Sequence, residues 1–61
     1  MTNPVMILHT DSRLKAVNLC DKLAWDNIDF CFSRAGSQYV VYVEVFDVKR
    51  AIEPRDGVVA K

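Results

Sequence analysis

Apolar residues change their spacing several times along the chain, and each change marks an element. Val5–Leu8 are four apolar residues in a row, bounded by Pro4 and by the polar run His9-Thr10-Asp11-Ser12, a length that suits a buried strand better than a helix. Beyond Ser12 the spacing becomes helical. Ala16, Val17, Leu19, Cys20, Leu23 and Ala24 fall on one stripe at ~100° per residue, which predicts a helix capped by Asp11 or Ser12 and running to about Asp26 or Asn27. Asn27 is the candidate left-handed stop, with no Gly nearby. Ile28–Ser33 alternates with period two, setting Ile28, Phe30 and Phe32 against Asp29, Cys31 and Ser33, and so predicts a second strand. Arg34-Ala35-Gly36-Ser37 has hairpin-loop chemistry, and Gln38–Phe46 is the strongest strand pattern of all. Asp47 is placed to cap a short second helix carrying Val48, Ala51 and Ile52, which Pro54 should stop after about two turns. Val58, Val59 and Ala60, on to Lys61, read as a loose tail or a short edge strand.

The element order is β-α-β-β-α. It predicts an α+β fold in which a three-stranded sheet carries one main helix on one face and a short C-terminal helix, with the first strand parallel to a hairpin strand through a right-handed crossover. Sixty-one residues (1–61) make a single small domain, in the size range where only about 60% of the unfolded surface is buried. With 51% hydrophobic and 26% charged residues, a globular core is expected and a disordered chain is not. Eight Lys or Arg balance eight Asp or Glu and are scattered along the chain, which gives no long-range attraction to phosphate backbones. The N-terminus has no basic run and too short an apolar stretch for a signal peptide or membrane span, so the expected location is cytoplasmic and no membrane is involved. Cys20 and Cys31 are then expected as reduced thiols.

Candidate chemistry is thin. His9, Thr10, Asp11 and Ser12 precede the first helix, with Arg13 as counter-charge, where an anion could meet free N–H groups. No Gly lets a phosphate approach there, and a cap plus a turn accounts for the same residues. His9 could serve as base to a Cys31 nucleophile only if the first two strands were neighbours. A metal site from His9, Asp11 and a cysteine lacks regular spacing, and no cofactor is implied.

The stretch SQYVVYVEVFDVKRAIEP, Ser37–Pro54, is more informative. As a strand it shows Tyr39, Val41, Val43 and Val45 on one side and Val40, Tyr42, Glu44 and Phe46 on the other, so neither face is plainly polar. A single helix covers one face. The remaining apolar surface implies another protein chain, a second copy in a homodimer or a larger partner, meeting the open sheet face or the edge of the third strand. On the first helix, Leu14, Asn18, Asp21 and Trp25 form a line away from the core stripe, and Trp25 either seeks a partner or folds over Ile28 and Phe30. The acids Asp21, Asp26 and Asp29 nearby would favour a basic partner groove. The candidate partner-binding residues are Leu14, Trp25, Tyr39, Tyr42, Glu44 and Phe46. The alternative is single-stranded nucleic acid stacked on Phe30, Phe32, Tyr39, Tyr42 and Phe46.

The short apolar strand, capped helix, IDFCF strand, Gly-containing hairpin and YVVYVEVFDVKRAIE strand-to-helix segment together resemble the small signal-transducing proteins of prokaryotes, a ferredoxin-like half. The resemblance spans Val5–Glu53 and departs from that family at Asn27, where a Gly is usual, and in its shorter hairpin loop. It implies a small regulatory or binding module and carries over no functional residues. Taken together, these features suggest a non-enzymatic protein-binding regulator, in its most concrete form an inhibitor or modulator of a larger protein.

Overall fold

The structure is a computed structural model that describes residues 2–60. Its elements are strand β1 (Pro4–Thr10), helix α1 (Arg13–Trp25), strand β2 (Phe30–Ala35), strand β3 (Gln38–Glu44), a 3₁₀ turn (Val45–Asp47) and helix α2 (Val48–Val59). The class and order are those predicted. The strands lie in the order β1-β3-β2, and β3 pairs antiparallel with both neighbours. Thus β1 and β2 point the same way but never touch, and the expected crossover spans the strand between them. A strand apolar on both sides belongs in the middle of a sheet, which is why Val40, Val41 and Val43 of β3 are all buried.

Local chemistry accounts for the boundaries. Ser12 Oγ accepts from Lys15 N at 3.2 Å, and Thr10 Oγ1 accepts from Ser12 N at 3.0 Å, so the start of α1 is capped from its own turn. At its other end Asn27 takes a positive φ of 58°. The Asn27 N–H then donates to Ala24 O and the Ile28 N–H to Leu23 O, a Schellman closure in which Leu23 and Ile28 both enter the core. The hairpin is tighter than predicted. Ala35 pairs with Gln38, leaving Gly36 and Ser37 as a two-residue turn, and Gly36 supplies the positive φ of 63° at its first position.

Both helices pack on one face of the sheet. Ala16, Leu19, Cys20 and Leu23 of α1 join Ala51 and Val58 of α2 over Ile7, Leu8, Val41 and Val43. The fully buried Leu19, Leu23, Val41 and Val43 each contribute roughly 1.5–3 kcal/mol by leaving water. A bulge in β1 between Met6 and Leu8 lets the consecutive Ile7 and Leu8 both reach the core, which strict alternation forbids. Val17 and Ala24, expected on the core stripe, are exposed instead.

The C-terminal third departs most from expectation. β3 ends at Glu44, where Val45–Asp47 wind into the 3₁₀ turn, although the Val45 N–H still donates to Asn3 O at 3.0 Å, in line with the pairing of Pro4 and Glu44; Val45 and Phe46 thus leave the strand. Asp47 stands at the start of α2, but its carboxylate makes no capping bond; it accepts from Arg50 Nη1 at 3.2 Å. Pro54 does not stop the helix. α2 runs for 12 residues through Pro54, and the expected tail or edge strand at Val58 and Val59 is its last turn, with Val58 buried. Burying Val58 recovers roughly 1.5–3 kcal/mol, comparable with the ~3 kcal/mol that an interior proline costs. Lys61 of the expected tail lies outside the described residues.

Candidate functional site

The six residues singled out for partner contact do not form one surface. Tyr39 lies on the helix-covered side, half-buried against the core, with its ring 5.8 Å from Phe32 and 6.0 Å from the Arg34 guanidinium. Tyr42 is half-buried on the bare side, in register with Met6 and Cys31. Glu44 is engaged within the molecule itself. It is 9% exposed, and its carboxylate accepts from Thr2 N at 2.6 Å and Asn3 N at 3.2 Å, fastening the start of the chain to the end of β3. Trp25, Phe46 and Leu14 are the most exposed large apolar residues, at 88%, 77% and 70%. Trp25 therefore does not fold over Ile28 and Phe30.

One residue organises the Trp25 end. The Arg50 guanidinium donates to Asp26 O at 3.1 Å and to Asp47 Oδ1 at 3.2 Å, joining the end of α1 to the turn before α2. Trp25 immediately precedes Asp26 and Phe46 immediately precedes Asp47, so this clamp holds both exposed aromatics, together with exposed Val45, at one end of the molecule. Beside them lies an open groove of about 540 Å³ between the helices, lined by Lys22, Trp25, Asp26, Arg50, Glu53, Pro54 and Gly57. Its charges cancel, Lys22 and Arg50 against Asp26 and Glu53, so the expected acidic surface around Trp25 is not formed. The groove continues along α1 past Lys22 to Asn18 and Leu14, and the lack of a side chain at Gly57 keeps it open. Arg50 escaped the sequence reading, because an Arg three residues after an Asp looks like an ordinary surface pair and its bond to Asp26 crosses 24 positions.

The bare sheet face carries Met6, His9, Cys31, Ser33, Val40 and Tyr42. It is more mixed than predicted, since Phe30 and Phe32 sit on the covered side. That division also breaks up the stacking platform a nucleic-acid reading requires, leaving Tyr42 alone on the open face and Phe46 off the sheet. His9 and Cys31 are two strands apart and two positions out of register, about 12 Å between Cα atoms at ~4.8 Å per strand and ~3.4 Å per residue, too far for a nucleophile and its base. Among the described residues no three His, Cys, Asp or Glu side chains are grouped closely enough to hold a metal. The first turn of α1 is closed by Ser12, the cap-plus-turn alternative to an anion site. Cys20 and Cys31 are free thiols. Burial pushes the Cys20 thiol above its ordinary pKa, and the Asp21 carboxylate adds to the rise. No helix among the described residues is long and apolar enough to cross a membrane.

Comparison with protein-family models, with curated proteins and with solved structures gives no match.

Proposed function

We propose that the protein is a small non-enzymatic binding module that regulates a larger protein, as an inhibitor or modulator, by inserting Trp25 into it. The exposure of Trp25 is the observation that carries this reading. The chain's one indole stands 88% in water on a helix end already fixed by the Schellman closure and the Arg50 clamp, so little ordering entropy remains to be lost on binding. Trp and Arg are the residues most enriched at binding hot spots, and Phe46 and Leu14 extend the contact to either side. A self-neutralised groove suits a partner whose contact surface carries both signs of charge. Self-association is the second expected mode, on a different surface. Unpaired Cys20 and Cys31 are in keeping with a reducing compartment such as the cytoplasm.

The test is retention of proteins from source-cell lysate on the immobilised chain, compared with Trp25→Ala and Phe46→Ala forms of unchanged circular dichroism. A specific larger protein held by the unaltered chain should be lost from Trp25→Ala, where truncation of a hot spot costs about 2–4 kcal/mol. Equal retention by all three forms would dispose of the proposal.

A further inference from the structure

The two edges of the sheet differ in how they resist a further strand. β1 starts at Pro4, which has no N–H to offer, and is interrupted by its bulge. β2 has neither device, and its FCFSRA sequence matches β3 residue for residue from Phe30↔Val43 to Ala35↔Gln38. In a two-residue hairpin the flanking pair, here Ala35 and Gln38, exchanges both ladder bonds. By alternation Ser33 and Cys31 also bond inward, so Phe30, Phe32 and Arg34 each direct one N–H and one C=O out from the sheet. Beside this rim α1 and β2 form an open, mostly apolar groove of about 220 Å³, lined by Arg13, Val17, Cys20, Phe30 and Phe32.

We propose that β2 pairs antiparallel with β2 of a second copy about a two-fold axis at Phe32, making one six-stranded sheet and bringing the two apolar grooves together. The occupant and its register follow from the pattern of backbone groups and charge. With Phe32 opposite itself, Phe30 meets Arg34 of the second copy and Arg34 meets its Phe30, so every outward backbone group on the strand is used. Centring the axis on Cys31 would leave the groups of Arg34 opposite Ile28, outside the strand. Centring it on Ser33 would bring the two Arg34 residues within about 7 Å, a repulsion that the Phe32 register avoids by separating them by about 14 Å, more than a Debye length. The Phe32 register also sets each Arg34 against a Phe30 ring of the other copy, on the same face of the sheet, a cation–π contact repeated at both ends. Zero net charge removes long-range repulsion between copies.

This interface lies on the β2 side of α1, away from the groove beside Trp25, so either proposal can fail alone. The experiment is sedimentation equilibrium from about 10 µM to about 1 mM, with Phe32→Lys and Ser33→Cys forms. The unaltered chain should rise from 6.9 kDa to twice that mass, and Phe32→Lys, with unchanged circular dichroism, should stay at the lower mass. Ser33→Cys should form, under mild oxidation, a disulfide between the introduced thiol and Cys31 of the second copy, while the unaltered chain, whose Cys31 faces Ser33, should not cross-link. Should Phe32→Lys fail to fold, the cross-link decides. A 6.9 kDa mass at every concentration, a dimer that survives in folded Phe32→Lys, or no Cys31 cross-link in Ser33→Cys would each overturn the proposal.

Discussion

Replacing Pro54 with Ala tests the most unexpected element of the fold. If α2 runs through residue 54, the proline removes one helical N–H bond and its ring crowds the carbonyl four residues back, an interior penalty of ~3 kcal/mol relative to Ala. Against this, Pro restricts the unfolded chain, which favours the native state by about 0.4–1 kcal/mol. Pro54→Ala should therefore stabilise the protein by about 2 kcal/mol. At ~2.1 cal/mol/K per residue, a chain of this length unfolds with an entropy of roughly 0.13 kcal/mol/K, so the midpoint should rise by about 15 °C. Thermal unfolding followed by circular dichroism at 222 nm reads this directly, at equal concentrations of the two forms so that any self-association contributes alike. An unchanged or lower midpoint would mean that the helix ends at Pro54 and that Val58 is not delivered to the core by α2.

Three other changes probe separate parts of the structure. Glu44→Gln should cost about 1.5–3 kcal/mol in urea unfolding, because the amide replaces one of the two oxygens that accept from Thr2 and Asn3 with a donor; a loss below about 0.5 kcal/mol would show that the fastening is slack. Asn27→Val should cost about 1–2 kcal/mol while Asn27→Gly should not, since only the β-branched side chain resists the left-handed backbone at this position; equal effects would count against the Schellman closure. Cys20 has a raised pKa in the folded state, so its contribution to stability is intact below the unfolded thiol pKa of about 8.5 and is lost as pH rises through the folded value. The unaltered chain should therefore lose stability from about pH 8.5 upward more steeply than Cys20→Ala, and parallel profiles would refute the assignment.

The parts of the fold legible in the sequence are those decided by near neighbours. Ser12, Asn27 and Gly36 each do what their local chemistry dictates, and Leu19, Leu23 and Ile28 lie on the faces their spacing assigns. The hairpin length and the exposed Val17 and Ala24 apart, the errors came from interactions at long range. Pro54 obeys a local rule until Val58 gains a place in the core. Strand order was not read from the sequence, although Val40, Val41 and Val43 are a sign of it, being the residues of a strand flanked on both sides. Of the site, exposed Trp25 and Leu14 were legible from helical spacing. Phe46 was expected on the sheet and is exposed instead on the turn beyond it, and Glu44 looked exposed because nothing near it in the chain needs a carboxylate.

The central place of β3 also bears on how the molecule is built. Neither β1 nor β2 has a strand to pair with until Gln38–Glu44 arrives, so a fragment ending before Gln38 contains no ladder. Formation of the sheet must then await a segment more than halfway along the chain, and partial structures with one pair already formed can arise only through that segment. During synthesis this leaves α1 as the only regular element able to form early, with its apolar stripe waiting for a sheet that comes late.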